Sequence, residues 1–301
     1  MITARNLTKT FGRHRVLDGV DLCVPAGERV ALLGVNGAGK TTLFRCLLGA
    51  TRFQGQLTVG GHDVRTDGRA ARTGIGYVPQ RPPRFQGTLG DMVDFYCRLR
   101  DIPADRVASV LASVHLDFAQ QARKAVTALS GGMLQKVLLA LALAADVDVL
   151  LLDEPTANLD PGARRDLLHL LNGIAPEVTV LLSSHRLADI EAVAYRVLVL
   201  HDGGWVFDGS LDDMRGRLGR TTTLWVKVPG TARQQARTLL DTAGPAVPGS
   251  NGALGTSVER PDAADLIRRL REAGIPIENF WMESPSLEQQ LETLVGGSRH
   301  A

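Results

Sequence analysis

Alternation and short apolar runs divide this chain into strands and helices before any single residue stands out. Ile2-Thr3-Ala4-Arg5-Asn6-Leu7 and Val20-Asp21-Leu22-Cys23-Val24 interleave apolar and polar positions, which predicts antiparallel strands around a turn at Gly12-Arg13-His14-Arg15. Arg29-Val30-Ala31-Leu32-Leu33 reads as a buried strand, and Thr42 to Leu48 as a helix ended by Gly49. Gly55 to Gly61 predicts an edge strand with its turn, and Gly74 to Gln80 a further strand stopped by Pro79. Arg81-Pro82-Pro83-Arg84-Phe85 must be a loop, because proline neither donates to a ladder nor continues a helix.

From Thr88 to about Leu129 the period lengthens to that of a helix. Met92, Val93, Phe95, Tyr96 and Leu99 make one apolar face, and Val107, Val110, Leu111 and Val114 another. Pro103 suits the first turn of the second of these helices. Leu129-Ser130-Gly131-Gly132-Met133 then opens a helix that runs to Ala145. Val147 to Leu152 and Val178 to Leu182 are continuous apolar runs, as expected of strands buried on both faces. Helices without strands, between stretches of strand–helix alternation, predict an α-helical subdomain at about residues 88–145 inserted into an α/β core. The apolar run from Val137 to Leu152 is too short for a hydrocarbon core of about 30 Å and is interrupted by Asp146 and Asp148. It is expected to be a helix followed by a strand, so a membrane role would come through a partner.

Around Arg215 to Thr223 the composition shifts to Arg, Gly and Thr, which predicts a linker between a first domain, residues 1–215, and a second, residues 220–301. The second alternates a strand (Leu224 to Val228), helices (Arg233 to Thr242 and Ala263 to Ala273) and a strand (Asn279 to Met282). A closing helix from Ser286 to Val295, capped by Ser286, completes a small α/β domain of ferredoxin-like alternation. It holds no motif to which chemistry attaches.

Length and composition fit one large and one small globular domain: 301 residues, 44% hydrophobic and 22% charged. The net charge of +2 gives little support to nucleic-acid binding by a broad basic face. Cys23, Cys46 and Cys97 lack metal-ligand spacing and read as reduced thiols. The N-terminal residues show no apolar core of a signal peptide.

The chemistry is concentrated in a few stretches. Gly34-Val35-Asn36-Gly37-Ala38-Gly39-Lys40-Thr41-Thr42 fits G-x-x-x-x-G-K-[ST] between a strand and a helix, the context that makes the pattern a phosphate site. Backbone N–H groups of Asn36, Gly37, Ala38 and Gly39, with the helix start at Thr42, are expected to curl around an oxyanion. Lys40 adds charge to the β- and γ-phosphates, and Thr41 is placed to ligate Mg²⁺. Asp153-Glu154 ends a buried strand, with Asp153 expected near Mg²⁺ and Glu154 aimed at the attacking water. Ser130, Gly131 and Gly132 form a second helix start with free donors, although Ser130 would also serve as an ordinary cap. One nucleotide does not need two such sites from one subunit, so two copies facing each other become the attractive reading. Phe11, just before a turn, suits either stacking on a base or a place in the core.

These motifs, in this order, resemble the nucleotide-binding subunit of an ATP-binding cassette (ABC) transporter over residues 1 to about 215. Gln80 after its strand, the D-loop-like Ala157-Asn158-Leu159-Asp160 and the switch-like His185 after Ser183-Ser184 complete the set. The resemblance implies ATP and Mg²⁺ as cofactors, with Phe11 stacked on adenine. Gln80 would contact Mg²⁺ and sense the membrane partner, and His185 would hold the γ-phosphate. Ser130, Gly131 and Gly132 would grip ATP bound to the opposite subunit of a homodimer or paired cassette. The family signature reads LSGGQ; Met133 stands in place of its Gln, and Gln135 follows. Methionine there also occurs in export-type members, so the departure bears on the strength of γ-phosphate contact rather than on hydrolysis itself. A cassette followed by a small α/β domain, and Pro285-Ser286-Leu287-Glu288 near the end, resemble exporter ATPases made apart from their membrane subunits.

The expected function is therefore an ATPase at the inner face of the cell membrane, cytoplasmic and peripheral, powering integral-membrane permease subunits for export. An ABC machine that assembles an extracytoplasmic metalloenzyme is a variant. A soluble ABC-type ATPase acting on ribosome or DNA is the rival, disfavoured by a single phosphate loop, no sustained heptads and near-neutral charge. A regulator that binds ATP without hydrolysis is disfavoured by Glu154 and His185.

Overall fold

The alternating N-terminal stretches form a long hairpin in the computed structural model of the chain, which describes residues 1–157, 159–217 and 221–283. Strands β1 (Ile2–Phe11) and β2 (His14–Val24) pair antiparallel, from Ile2 opposite Val24 to Phe11 opposite His14. The central strand β3 (Arg29–Leu33) leads through the Gly-rich loop into α1 (Lys40–Leu47). Strands β4 (Gln54–Val59) and β5 (His62–Asp63) extend the hairpin into a four-stranded sheet ordered β2-β1-β4-β5. Helix α2 (Gly68–Thr73) then returns the chain to the core strand β6 (Ile75–Val78).

The all-helical stretch follows as α3 (Leu89–Arg100), α4 (Ala104–Ser113), α5 (Phe118–Gln121) and α6 (Gly131–Leu143). Thr88 starts α3 with a reciprocal capping box, its hydroxyl accepting from the Asp91 N–H while the Asp91 carboxylate accepts from the Thr88 N–H. Two expectations are corrected here. Phe95 and Leu99 leave the apolar face of α3, being 60% and 66% exposed, while Met92, Val93 and Cys97 are buried. Pro103 caps α4 rather than forming its first turn, since the helix begins one residue later.

The α/β core resumes with β7 (Val149–Asp153), α7 (Pro161–Asn172), β8 (Thr179–Ser183) and α8 (Leu187–Val193). Strands β9 (Arg196–His201) and β10 (Gly204–Ser210) close it, a pair that the sequence reading did not anticipate. The six-stranded sheet runs β10-β9-β3-β8-β7-β6, with β10 antiparallel to β9 and the other neighbours parallel. Successive residues of β7 point to opposite faces. Leu150 and Leu152 join the cluster under α3, α4, α6 and α7, whereas Val149 and Leu151 join the one around α1 and the hairpin. Both faces are covered, so these strands read as unbroken apolar runs. Among the described residues no helix is long and apolar enough to cross a membrane.

The chain divides into two compact units, Met1–Leu211 and a second beginning at Asp212. Helix α9 (Leu211–Arg217) and the start of β11 (Thr221–Lys227) occupy much of the stretch expected to be a linker. After β11 come α10 (Arg233–Leu240), β12 (Val247–Pro248), β13 (Leu254–Glu259), α11 (Arg260–Glu272) and β14 (Asn279–Glu283). They form an antiparallel sheet ordered β12-β13-β11-β14, the βαββαβ arrangement of a ferredoxin-like unit. Leu224, Val226, Leu254 and Val258 pack there against Ala236, Leu240, Leu266 and Leu270 of the helices. The expected closing helix at Ser286 to Val295 and the stretch from Pro285 to Glu288 lie outside the described residues.

One buried polar knot ties the first unit together beside the site. The fully buried Asp189 of α8 accepts hydrogen bonds from Thr156 Oγ1 at 2.5 Å, Ser184 Oγ at 3.2 Å and Arg164 Nε at 2.6 Å. It thereby joins α7, α8 and the loops after β7 and β8. Asp189→Ala leaves the part-buried Arg164 charge without its partner, a loss of about 3–5 kcal/mol. The midpoint of a urea titration of the variant should fall accordingly; an unchanged midpoint would deny the knot its role.

Candidate functional site

Three parallel strands, β3, β7 and β8, deliver the candidate residues because their carboxyl ends lie at one edge of the sheet. After β3 the loop closes tightly. A Cβ on Gly34 would stand 2.5 Å from the Leu200 carbonyl oxygen, and one on Gly39 (φ 107°) 3.0 Å from that of Val16. Only glycine meets both the close approach and the left-handed backbone at Gly39. Helix α1 begins at Lys40, two residues earlier than expected, so Lys40 and Thr41 belong to its first turn. The Lys40 ammonium donates to the carbonyl oxygens of Gly34 (2.7 Å) and Val35 (3.3 Å) and thus arches over the loop.

The Thr41 hydroxyl donates to Asp153 Oδ2 at 2.8 Å, and the Ser183 hydroxyl to Asp153 Oδ1, also at 2.8 Å. Asp153 is buried, and these two bonds satisfy a carboxylate that would otherwise be costly to bury. Ser183 Oγ also accepts the Glu154 N–H at 2.9 Å. Glu154 has φ 52°, left-handed for a side chain bulkier than glycine, and its N–H is also bonded to the Ser183 carbonyl at 3.2 Å. This turn directs its carboxylate to His185 Nδ1, 2.5 Å away, while the histidine ring stays half exposed. Behind the site, burial pushes the Tyr77 hydroxyl up to about 12, with the Asp153 charge as a second cause.

A cavity of about 190 Å³ collects Asn36, Gly37, Ala38, Gly39, Lys40, Thr41, Thr42, Gln80, Asp153 and Glu154. Nearly every residue expected to touch phosphate or metal therefore lines one space, with Gln80 brought in from the end of β6. A second cavity of about 380 Å³ shares Asn36, Gly37 and Ala38 with the first and extends to His14, Arg15, Val16, Asp202 and Gly203. Sequence reasoning missed that extension, which comes from the hairpin and the β9–β10 turn. It also missed Ser183 as the link between the Asp153 carboxylate and the Glu154 N–H; a hydroxyl at the end of a buried strand was the available signal. Phe11 is 47% exposed, which excludes a core role, and it lines neither cavity. The Lys9 ammonium lies 4.3 Å from its ring centroid, a cation–π contact.

Ser130, Gly131 and Gly132 also line neither cavity. Ser130 caps α6, its hydroxyl accepting the Met133 N–H at 3.2 Å, so the cap reading holds. Gly131 has open space where a Cβ would stand, and Gly132 packs near Ala163. Asn158 lies outside the described residues; Asp160 of the same stretch caps α7 through the N–H groups of Gly162 and Ala163.

The donor set suits a hard divalent cation. Thr41, Gln80 and Asp153 offer only oxygen among their coordinating atoms, as Mg²⁺ prefers. Donating its proton to Asp153 leaves both lone pairs of the Thr41 oxygen available.

Glycine-rich loop, lysine, hydroxyl and strand-end carboxylates on a parallel sheet define a P-loop nucleotide-binding core. The chain belongs to the ABC transporter family and carries its ATP-binding domain: the family profile described as "ABC transporter" matches residues 17–157. The daunorubicin resistance ATP-binding protein DrrA3 of Streptomyces coeruleorubidus is 32% identical over 305 residues, covering 99% of this chain and 96% of that protein. The Nod factor export ATP-binding protein I of Burkholderia lata is 38% identical over 217 residues, covering 69% of this chain and 70% of that protein. Against the mammalian sub-family A member 7 proteins the chain spans 11% of their length. A solved ATP-binding subunit of an ABC transporter superposes with a TM-score of 0.66 at 27% identity, covering 72% of this chain and 92% of that one.

If Lys40 carries the phosphate contact, Lys40→Ala should weaken ATP binding about tenfold to hundredfold, the worth of one charge-assisted bond. Equilibrium titration with ATP measures this, and unchanged affinity would move the contact to another group.

Proposed function

We propose that this chain is the ATP-hydrolysing subunit of an exporter, energising separate integral-membrane permease subunits from the inner face of the membrane. The observation that carries the proposal is the continuous chain Thr41–Asp153–Ser183–Glu154–His185, which places a carboxylate beside the phosphate cavity. The loop N–H groups from Asn36 to Thr42 and Lys40 hold the ATP phosphates. Thr41, Gln80 and Asp153 hold Mg²⁺, which when bound neutralises charge on the phosphates. Glu154 accepts the proton of the attacking water, and His185 keeps that carboxylate oriented and reaches the γ-phosphate from its exposed side. Phe11 offers its exposed ring to adenine. An export direction is supported by relatives named for Nod factor export and daunorubicin resistance.

Because Ser130, Gly131 and Gly132 line neither cavity of their own subunit, their exposed helix start is read as the half-site for ATP on a second subunit. A two-fold dimer completes both sites at once, since each patch meets its complement on the partner. Loss of the γ-phosphate would release the halves and pass the motion to the permease.

Two experiments test the reading. Glu154→Gln keeps shape and removes the proton acceptor, so ATP binding should persist while turnover falls about 10²–10⁴-fold. Near-wild-type turnover in the purified variant would end the assignment. Separately, Lys40→Ala and Ser130→Arg homodimers should both be inactive, whereas their mixture restores one intact composite site. Absence of any hydrolysis in heterodimers shown to form would count against shared sites.

A further inference from the structure

We propose that the hollow at the C-terminal end of α1 is a second anion site, built to take a free polyphosphate. The hollow measures about 630 Å³, and Arg52, Arg65, Arg69 and Arg72 line it around Phe53. It shares no residue with the phosphate-loop cavity. Helix α1, with 8 residues, separates the two by about 12 Å at its usual rise.

The four arginines outnumber the acids of the same stretch, Asp63 and Asp67, and the Asp63 carboxylate feels the Arg65 charge. Among the described residues none of the four guanidinium groups is ion-paired or hydrogen-bonded to a carboxylate. The N–H groups of Thr66 and Arg65 hold the Asp63 carboxyl below the usual carboxylate range, with the Arg65 charge as a further cause, and Asp67 Oδ2 lies 2.6 Å from His62 Nδ1. Four arginines against these two carboxylates leave local positive charge around the hollow, which an anion would offset. The carbonyl end of α1 offsets part of one charge and leaves the remainder.

Several of these groups are also held in place. The Arg65 guanidinium sits over the Phe53 ring, 5.5 Å from its centroid. Arg72 Nη1 lies between the backbones of Gly49 and Gly68, 3.3 Å and 3.0 Å from where a Cβ would stand on each. Arg100 fixes the end of α2 by donating to the carbonyl oxygens of Arg72 and Thr73. Guanidinium forks match phosphate oxygens in pairs, and four arginines around one hollow suit an anion with more than one phosphate.

Pyrophosphate is the probe, titrated calorimetrically into full-length Lys40→Ala, in which the phosphate loop is weakened. Pyrophosphate should still bind that variant. Adding Arg69→Ala and Arg72→Ala should weaken the remaining binding at least tenfold, whereas adding Arg268→Ala and Arg269→Ala, an equal loss of charge in α11, should change it less than twofold. Equal effects of the two pairs, or no binding left in Lys40→Ala alone, would overturn the proposal. So would arginine-dependent binding to phosphatidylglycerol vesicles without any to pyrophosphate. Circular dichroism of each variant establishes that it is folded. ATP titration of the Arg69→Ala/Arg72→Ala variant with Lys40 intact keeps this result separate from the phosphate-loop reading.

Discussion

Asp153 is the point on which the site depends. Its buried carboxylate accepts one hydroxyl from the helix after β3 and another from the end of β8, and so binds three neighbouring strand ends through a single side chain. A carboxylate buried this far from water is stable only while its oxygens are bonded, so Thr41 and Ser183 hold it as much as it holds them. Ser183 passes the constraint on, because the same hydroxyl accepts the Glu154 N–H and secures a left-handed backbone that Glu154 would not adopt unaided. The orientation of Glu154 toward His185 follows from that turn.

The parallel sheet explains why these contacts form in this place. Strands β3, β6, β7, β8 and β9 run parallel, so their carboxyl ends gather at one edge with the loops that follow them. The Asp189 knot stands just behind that edge and ties the loop after β7 to α7 and α8. The phosphate cavity is thus walled by short loops whose ends are fixed by strands and whose middles are fixed by buried polar bonds. Such an arrangement is stiff on the side that holds phosphate. The cap at Ser130, by contrast, leaves Gly131 open to solvent, while Gly132 packs near Ala163.

Helix α1 has different electrostatics at its two ends. At its start, N–H groups and Lys40 face the phosphate cavity; past its end, Arg52, Arg65, Arg69 and Arg72 face a separate hollow. The first is a familiar consequence of a strand–loop–helix turn. The second arises because α2 and the chain around it bring four arginines to one hollow, where the acids Asp63 and Asp67 offset only part of their charge.

The sequence by itself determined the elements whose periodicity is strong and local: the hairpin, the buried strands β3, β7 and β8, the helical insertion, and the phosphate loop with its lysine and hydroxyl. The strand-end context pointed to Asp153 and Glu154, and the resemblance of the motif set to a known family added Gln80 and His185. What it left undecided is non-local. Strands β9 and β10 escaped notice although Arg196-Val197-Leu198-Val199-Leu200 is apolar, because their place beside β3 depends on pairing across more than a hundred and sixty residues. Phe95 and Leu99 follow the helical period of α3 yet face outward, since the neighbouring helices cover only part of that stripe. Ser183 bonds both the Asp153 carboxylate and the Glu154 N–H, a role set by which groups the fold brings within bonding distance. Local pattern specifies which segments form because it acts through neighbours in the chain. Only tertiary structure decides which hydroxyl meets which carboxylate, because that contact is made between residues whose separation in sequence carries no information about their distance.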